Sequence, residues 1–312
     1  MSLYKYKKLI SALSGLTFLF SSSAFAMLGN GPRLFTGDNY FLAISNGVVW
    51  KIKNDGEAFR SDITSLINQA VYGNGFWLAD HAGSFHKSVD GINWTKLRTN
   101  SNEAGFWPET LFFSNGKFYG TYLTNYVCTS TGGVNWKCTD NPWSSYTKHN
   151  MANHPIYYCD GTFYKFGEYS ISSPSGSKSV TLLLTSSNES NLEKHVLNIA
   201  GYGSSTCIGN KIIFYNWSRK KYYSYNVQRS SILSGNFPTK PTNGILPAEY
   251  DGKIILDFVG KYILVNGKKV KKPLLDQIAA DNDALLGYES VPGYHQNKLY
   301  ISNDGYTWSL VK

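Results

Sequence analysis

A polar heptapeptide that ends in tryptophan occurs three times in this chain. Its copies, which we call the heptapeptide turns, are SVDGINW at 88–94, STGGVNW at 130–136 and SNDGYTW at 302–308. The surrounding sequence repeats too, because residues 37–59 align with residues 73–94 after one inserted residue, and residues 114–136 form a third copy. A period of about 36 residues indicates that one small supersecondary unit has been copied along the chain.

Four weaker copies extend the pattern, and they begin at residues 159, 208, 250 and 281. Several copies open with Asn-Gly or Asp-Gly, followed by alternating aromatic and aliphatic residues, as at Asn74-Gly75 and Asp160-Gly161. Such dipeptides accept positive φ and are typical of two-residue β-hairpins. A second turn closes most copies, and only the fifth shows no clear counterpart. Two tight turns and a longer middle loop predict four antiparallel strands per copy.

The predicted fold is an all-β, seven-bladed β-propeller that occupies residues 27–312 as a single domain. Aromatic residues make up 15% of the chain and charged residues 16%, a composition that favours half-buried strands joined by turns. Radial repetition protects the sheet edges of such a disc. Six blades are the alternative, because the last two copies are short. The segment 271–280, KKPLLDQIAA, is the best candidate for a helix.

Residues 1–26 have the pattern of a secretory signal peptide. Three lysines precede an apolar run over residues 9–20, and small residues precede Met27, where we expect cleavage. The apolar run is too short to span a membrane, and no cysteine follows the cleavage site. The expected protein is therefore periplasmic or secreted, with neither a membrane span nor a lipid anchor.

The four cysteines, Cys128, Cys138, Cys159 and Cys207, all follow this segment. An even number of cysteines in an oxidising compartment predicts two disulfides. Cys128 and Cys138 flank a heptapeptide turn, so a hairpin could pair them, and Cys159 with Cys207 is then the remaining pair. Sequence alone leaves this connectivity open. We expect no zinc, because no Cys-x-x-Cys occurs.

The heptapeptide resembles the Asp box, S-x-D-G-x-x-W, of sialidase-like BNR-repeat propellers. The matching residues are Ser88, Asp90, Gly91 and Trp94; Ser302, Asp304, Gly305 and Trp308; and Ser130, Gly133 and Trp136, beside which Gly132 replaces the aspartate. The aspartate can accept hydrogen bonds from backbone N–H groups of the turn, and the glycine permits a left-handed backbone conformation. We expect the tryptophan to be buried within the sheets. The resemblance implies that these boxes are structural and lie opposite the usual ligand site.

In a propeller of this type, the tight turns occupy one face of the disc, which we call the turn face. The middle loops and the connections between blades share the other, which we call the connection face. The predicted ligand-binding residues are on that face: Trp107, Glu109, Trp143, Tyr146, His149, Tyr169, Trp217, Arg219, Tyr288, Glu289 and Tyr294. Asp80, His81 and Glu168 are expected in its middle loops. Aromatic rings beside polar groups suit sugars and protein interfaces alike.

Two histidine pairs, His81 with His86 and His149 with His154, do not predict a metal site, because five-residue spacing on strands does not fix ligand geometry. No cofactor is expected either. The net charge of +9 falls to about +6 once the three lysines of residues 1–26 are removed, and this modest charge, together with the export signal, disfavours nucleic acid as a partner.

The resemblance also raises an enzyme hypothesis. Sialidases use three arginines, a tyrosine paired with a glutamate, an acid aspartate and an Arg-Ile-Pro signature. This chain has five arginines, and its nearest approach to the signature, GPRLF at 31–35, departs from it. Glu109, Glu168 and Glu289 are the loop carboxylates available for glycoside hydrolysis. We therefore favour a non-catalytic binding or scaffold protein for a glycan or an envelope or cell-surface protein, and keep a sialidase-like glycoside hydrolase as the alternative.

Overall fold

The computed structural model of the protein describes most of the repeat region. The described residues are 33–45, 47–64, 66–81, 83–101, 106, 108, 110–122, 126–140, 157–173, 176–187, 193–197, 205–208, 210–216, 221–236, 248–250, 253–257, 262–265, 268–273, 275, 277–281, 283–289 and 297–311. All regular elements in these ranges are β-strands. A search of this part of the chain finds no helix with the length and apolar character needed to cross a membrane. The predicted signal peptide lies outside the described residues.

The first three sheets follow one another along the chain. The first contains β1 (Arg33–Thr36), β2 (Tyr40–Ser45), β3 (Val48–Lys53) and β4 (Ala58–Thr64). The second contains β5 (Ile67–Gly73), β6 (Phe76–His81), β7 (Ser84–Ser88) and β8 (Thr95–Lys96). The third contains β10 (Thr110–Ser114), β11 (Lys117–Tyr122), β12 (Tyr126–Ser130) and β13 (Asn135–Asp140), with β9 (Asn100–Ser101) added in parallel to β13.

Four more four-stranded sheets complete the described structure. The fourth contains β14 (Tyr157–Cys159), β15 (Thr162–Ser173), β16 (Gly176–Ser186) and β17 (Glu193–Leu197). The fifth contains β18 (Ser205–Ile208), β19 (Lys211–Asn216), β20 (Lys221–Asn226) and β21 (Ser231–Asn236). The sixth contains β22 (Ala248–Tyr250), β23 (Lys253–Asp257), β24 (Tyr262–Val265) and β25 (Lys268–Lys271). The seventh contains β26 (Gln277–Ala280), β27 (Leu285–Glu289), β28 (Lys298–Ser302) and β29 (Ser309–Leu310).

The sheets are arranged around an axis. Within each sheet the four main strands pair antiparallel in chain order. The first strand of every sheet contacts the first strand of the next, from β1 through β5, β10, β14, β18 and β22 to β26, which contacts β1. The molecule is a β-propeller, and the all-β propeller prediction is confirmed.

The predicted hairpin turns join the first and second strands of their sheets. Asn74, Asn115 and Asp160 have φ of 51°, 48° and 42°, and the glycine after each also has positive φ. Both central residues are therefore left-handed, as a type I′ turn requires. The fifth sheet also has a turn between its third and fourth strands, which the sequence reading missed. There the Asn226 side chain accepts the N–H of Arg229 at 2.8 Å.

Clusters of aromatic and aliphatic side chains fill the spaces between neighbouring sheets. The first and last sheets meet in such a cluster, where Leu34 and Phe41 pack with Leu286, Tyr288 and Ile301. Each sheet comes from one continuous stretch of chain, so no described strand is exchanged between these two sheets. Side-chain packing, rather than a shared strand, joins the first sheet to the last.

The prediction of a helix at residues 271–280 is wrong. Residues 277–280 form strand β26, which pairs with β27. Lys272, just before it, is buried, and its ammonium group donates to the carbonyls of Pro273 and Leu275 at 3.3 Å. Short apolar runs fit a strand or a helix equally well, and here sheet pairing decides the outcome.

One predicted disulfide is present between Cys128 and Cys138, which lie directly opposite each other on β12 and β13. Cys159 is also disulfide-bonded. The side chain of Cys207, its predicted partner, lies outside the described residues.

Candidate functional site

The turn face is cross-linked by hydrogen bonds between neighbouring sheets. The Asn74 side chain donates to the carbonyls of Gly116 and Thr131, both at 3.0 Å. The Asn303 side chain likewise donates to the carbonyl of Asn54 at 3.2 Å, which joins the last sheet to the first. The polar groups of these tight turns therefore hold the disc together.

The heptapeptide turns lie between the third and fourth strands of their sheets, as expected. In the second sheet, one carboxylate oxygen of Asp90 accepts the N–H groups of Ile92 and Asn93, both at 2.8 Å. It also accepts the Ser88 hydroxyl at 2.9 Å, and that hydroxyl accepts the N–H of Gly91 at 2.8 Å. The carboxylate satisfies donors that the turn would otherwise leave free.

Asp304 repeats this arrangement in the seventh sheet, where it accepts the N–H groups of Tyr306 and Thr307 at 2.7 Å. Partial burial alone would raise the pKa of each aspartate. The turn N–H groups and the serine hydroxyl outweigh burial and hold the pKa of Asp90 and of Asp304 below the usual value. These carboxylates are committed to folding, so they are poorly suited to donate a proton in a reaction.

The third heptapeptide turn keeps the geometry without the aspartate. Its Ser130 hydroxyl accepts the N–H of Gly133 at 2.9 Å. The three box glycines, Gly91, Gly133 and Gly305, have φ between 73° and 76°. A side chain at Gly133 would also collide with Leu78 of the second sheet. The glycine is therefore needed both for backbone conformation and for close packing between sheets.

The tryptophans of these turns occupy matching places. Trp94 packs against the cluster between the first and second sheets, Trp136 between the second and third, and Trp308 between the sixth and seventh. Each ring therefore lies on the side of its sheet that faces the preceding one. The expectation that the tryptophans are structural fits this placement.

Most of the predicted binding residues of the connection face lie outside the described residues: Trp107, Glu109, Trp143, Tyr146, His149, Trp217, Arg219 and Tyr294. Tyr169 and Glu168 belong to strand β15 rather than to a loop, and their side chains are likewise outside the described part. Asp80, expected in a middle loop, is a buried residue of strand β6 whose carboxylate accepts the Asn68 amide at 3.2 Å.

Tyr288 and Glu289 end strand β27 at the connection face. The Tyr288 ring is only 1% exposed and packs in the core between the first and last sheets. Glu289 is half-buried, and its carboxylate accepts the hydroxyl of Tyr300 at 2.7 Å. Burial, and then the bond to Glu289 and its charge, raise the pKa of Tyr300 to about 12. The tyrosine is therefore neutral at physiological pH and donates its proton to this bond.

Sequence reasoning missed Tyr300. Its strand pairs with β27 so that Tyr300 lies opposite Gly287, diagonal to Glu289. Such diagonal neighbours are close enough for long side chains to meet. Alternation along β27 and β28 predicts that Glu289 and Tyr300 lie on the same side of the sheet only when the register between the two strands is known. The sequence does not give that register.

A long hairpin of the fourth sheet extends on the connection face. Strands β15 and β16 have 12 and 11 residues, whereas the second strands of the other sheets have five or six. Residues 169–173 pair only with residues 176–180, because β14 and β17 pair with the lower parts of these strands. We call this two-stranded ribbon the arm. Its five pairs extend it by roughly 15–20 Å at about 3.3 Å per residue.

Gln69 connects the second and third sheets near their inner strands. Its side-chain oxygen accepts the N–H of Leu111, and its amide donates to the carbonyl of Pro108 at 3.3 Å. This side chain fixes the position of the chain as it enters the third sheet. Two predicted binding residues, Trp107 and Glu109, flank Pro108 in the sequence.

His81 and His86 contact each other, with ring centroids 4.8 Å apart. His81 shares a hydrogen bond with Thr64 of the first sheet at 2.6 Å. Partial burial, together with the nearby His81, lowers the pKa of His86 below 6.5 despite its bond to the Ser84 carbonyl. Within the described ranges, no group of three or more His, Cys, Asp or Glu residues is arranged to hold a metal ion.

Comparison with known proteins supports the fold. No protein-family model matches the sequence, and no curated protein matches it significantly. The β-propeller domain of the trilobed protease from Pyrococcus furiosus, described as having an open velcro topology, aligns with 92% of this chain and 97% of its own, at 9% identity and a TM-score of 0.57. Hsv2 from Kluyveromyces lactis aligns with 89% of this chain and 97% of its own, at 7% identity and a TM-score of 0.51. At these identities the likeness concerns the propeller fold alone.

Proposed function

We propose that this protein is an exported, non-catalytic β-propeller that binds a glycan or an envelope or cell-surface protein through its connection face. The seven sheets are, in this proposal, the blades of one seven-bladed disc formed by residues 27–312. The closed series of contacts between first strands, from β1 to β26 and back to β1, supports that closure.

The arm is the observation that carries the binding proposal. It lies on the face where the roomy connections meet, and it lengthens β15 and β16 far beyond what their sheet needs for pairing. Five of its ten residues are serines, so its sequence is rich in hydroxyl groups that can bond a sugar or a peptide. A two-stranded ribbon is marginally stable alone, which favours a role in which a partner packs against it.

Export is supported by two independent features. Disulfides such as Cys128–Cys138 form and persist in oxidising compartments, and the first 26 residues have the composition of a signal peptide. Membership of the sialidase-like, Asp-box propellers is a further proposal. The Ser88–Asp90–Gly91 hydrogen bonds, and their counterparts at Ser302, Asp304 and Gly305, support it.

Mutation of the aromatic connections tests the binding proposal. We expect Trp107→Ala or Trp143→Ala to weaken capture of a glycan on an array, or of a protein from an envelope extract, while thermal unfolding stays nearly unchanged. Tyr306→Ala is the matched control, because that ring is 47% exposed on the turn face. If a tryptophan variant lost ligand capture and thermal stability to the same extent, the loss of capture would reflect unfolding, and the proposed binding role of the connection face would be contradicted.

A glycoside hydrolase is the second candidate, and the bond between Tyr300 and Glu289 favours it. A tyrosine paired with a glutamate is the nucleophile that the resemblance to sialidases implies. The enzyme hypothesis requires purified protein to release product from a panel of sialosides and aryl glycosides. Glu289→Gln and Tyr300→Phe should each abolish that release, and Glu109→Gln tests the other carboxylate. If no substrate of the panel yields product, the hydrolase candidate is wrong and the binding proposal is the one that stands.

A further inference from the structure

Strand β21 forms the outer edge of the fifth sheet and has an unusual composition for that position. Its sequence, SILSGN, contains no charged residue. Leu233 is 73% exposed and Ile232 is 42% exposed. These residues are adjacent, so they point to opposite sides of the sheet, and both sides of the edge carry exposed aliphatic surface.

The other outer strands carry the protection that natural sheet edges usually have. β8 and β29 have only two residues each, and very short edges offer little surface for pairing. The longer outer strands that carry no added strand contain charged residues: Arg60 and Asp62 in β4, Glu193 and Lys194 in β17, and Lys268, Lys269 and Lys271 in β25. Charges on an edge oppose the addition of another strand.

The rim of this disc already accepts an added strand elsewhere. Residues 100 and 101 form β9, which pairs in parallel with the outer strand β13 through Asn135 and Trp136. In β21, backbone groups alternate between those that face β20 and those that face outward. The outward-facing groups can receive an extended segment in the same way.

The charge of this region indicates the kind of segment. Residues 194–248 contain seven lysines and arginines and no aspartate or glutamate. Lys211, Lys221 and Arg229 of the fifth sheet are all exposed. Among the described residues of the fourth sheet, Asp160 accepts a hydrogen bond from the Gln228 amide at 3.0 Å. Burial, with a smaller contribution from the charge of Glu193, raises the pKa of Tyr225 in β20. Both acidic residues belong to the fourth sheet, and β21 itself contains no acidic residue.

We propose that the outer edge of β21 binds an extended, acidic segment of a partner polypeptide, which adds to the fifth sheet as a further strand. Main-chain hydrogen bonds supply affinity in this mode, and alternate side chains supply specificity. Apolar residues of the segment pack on Leu233 and Ile232, and its acidic residues meet Arg229 and Lys221. A second copy of this chain is disfavoured, because pairing two such edges brings like charges together. The site runs along the rim, from Arg229 in the turn between β20 and β21 to Lys221 at the other end of β20.

A fluorescent synthetic peptide of alternating valine and glutamate, mixed with the purified protein, tests this proposal by anisotropy. We expect saturable binding of that peptide, and binding at least about tenfold weaker when lysine replaces glutamate in it. Leu233→Glu and, separately, Arg229→Glu should each weaken binding of the acidic peptide by about tenfold. Val89→Glu is the matched control, because Val89 is 69% exposed on a turn of the second sheet. It should bind like wild type.

Four outcomes overturn the proposal. The first is no binding of the acidic peptide, and the second is equal binding of the lysine peptide. The third is a wild-type affinity in Leu233→Glu, with thermal unfolding used to show that the variant is folded. The fourth is a concentration-dependent dimer that Leu233→Glu abolishes, which would assign the edge to a second copy of the chain instead. Loss of the arm, by contrast, should leave this binding unchanged.

Discussion

The N–H of Asp62 donates a hydrogen bond to the carbonyl of Ile92, 2.8 Å away, across the boundary between the first and second sheets. The Ser61 hydroxyl donates to the same carbonyl at 3.1 Å and accepts the Trp94 indole N–H at 2.8 Å. The Asp62 carboxylate accepts the backbone N–H of Trp94 at 3.0 Å. The outer strand of one sheet is thereby fastened to the heptapeptide turn of the next.

The third sheet repeats the first of these bonds. The N–H of Asn100, from the segment that follows the second sheet, donates to the carbonyl of Val134 at 2.8 Å. Val134 occupies the same place in its heptapeptide turn as Ile92 does in the preceding one. The heptapeptide turns therefore join sheets, besides shaping single hairpins.

Ser61→Ala tests the contribution of this junction. The change leaves the Trp94 indole without its strongest acceptor and removes a donor from the Ile92 carbonyl. We expect the free energy of unfolding to fall by about 1–2 kcal/mol, measured by chemical denaturation. Ser231→Ala, at an exposed serine of another outer strand, should change it by less than about 0.5 kcal/mol. Equal effects would mean that the junction contributes nothing specific.

A reciprocal exchange tests the role of the turn aspartate. Asp90→Gly removes the acceptor for two backbone N–H groups and should destabilise the fold by about 1–3 kcal/mol. Gly132→Asp supplies the missing acceptor in the third sheet, where a Cβ at Gly132 meets nothing within 4 Å. We expect a gain of about 0.5–1.5 kcal/mol from the added bonds and the stiffer unfolded chain. Destabilisation by Gly132→Asp would contradict this account of the turn.

The Cys128–Cys138 bridge should stabilise the fold by restricting the unfolded chain. The cysteines are 10 residues apart in sequence, so the closed loop is short. Replacing both with serine should lower the free energy of unfolding by about 2–3 kcal/mol on the chain-entropy account. Calorimetry of the double variant and of wild type measures this difference. Unchanged stability would contradict the chain-entropy explanation for this bridge.

Stability should fall as the pH drops below 6.5. Burial is the main cause that lowers the pKa of His86, and of His195 in the fourth sheet, below that value. His81 lowers the pKa of His86 further, whereas Glu193 partly opposes the effect at His195. Between the ordinary and the lowered pKa, the unfolded chain binds more protons than the folded one, so acid favours unfolding.

Chemical denaturation at a series of pH values measures this dependence. The combined variant His86→Gln and His195→Gln should show a shallower loss of stability than wild type across the same window. A slope identical to that of wild type would mean that other groups account for the effect.

The repeat and its hairpin turns could be predicted from sequence because each depends on local residues. Asn74 and Asp160 adopt the left-handed conformation that their dipeptides predict. The turn after Asn226 could not be predicted from its sequence, because it contains no glycine. Strand β9 has only two residues, and it exists because Asn135 and Trp136 lie beside it in space. Such pairing between distant segments leaves no periodic pattern to read.

The candidate site was harder to predict than the fold. The sequence predicts Tyr288 in a loop of the connection face, but its aromatic ring packs against the first sheet, which lies near it only because the disc closes. The sequence predicts Glu168 and Tyr169 in a middle loop, whereas strand β15 continues to Ser173. Each strand extends as far as its partner does, and the sequence of neither strand alone predicts that length.

Binding by an arm-shortened protein measures how much the arm contributes to the connection face. In this variant, Asn-Gly replaces residues 170–179, so that a two-residue turn joins Tyr169 to Val180. Wild type and the Tyr306→Ala control should retain the same components of a glycan array or an envelope extract. Because the arm carries the binding proposal, we expect the arm-shortened protein, with the thermal unfolding of wild type, to bind them at least about tenfold more weakly. Wild-type binding by the arm-shortened protein would contradict that proposal.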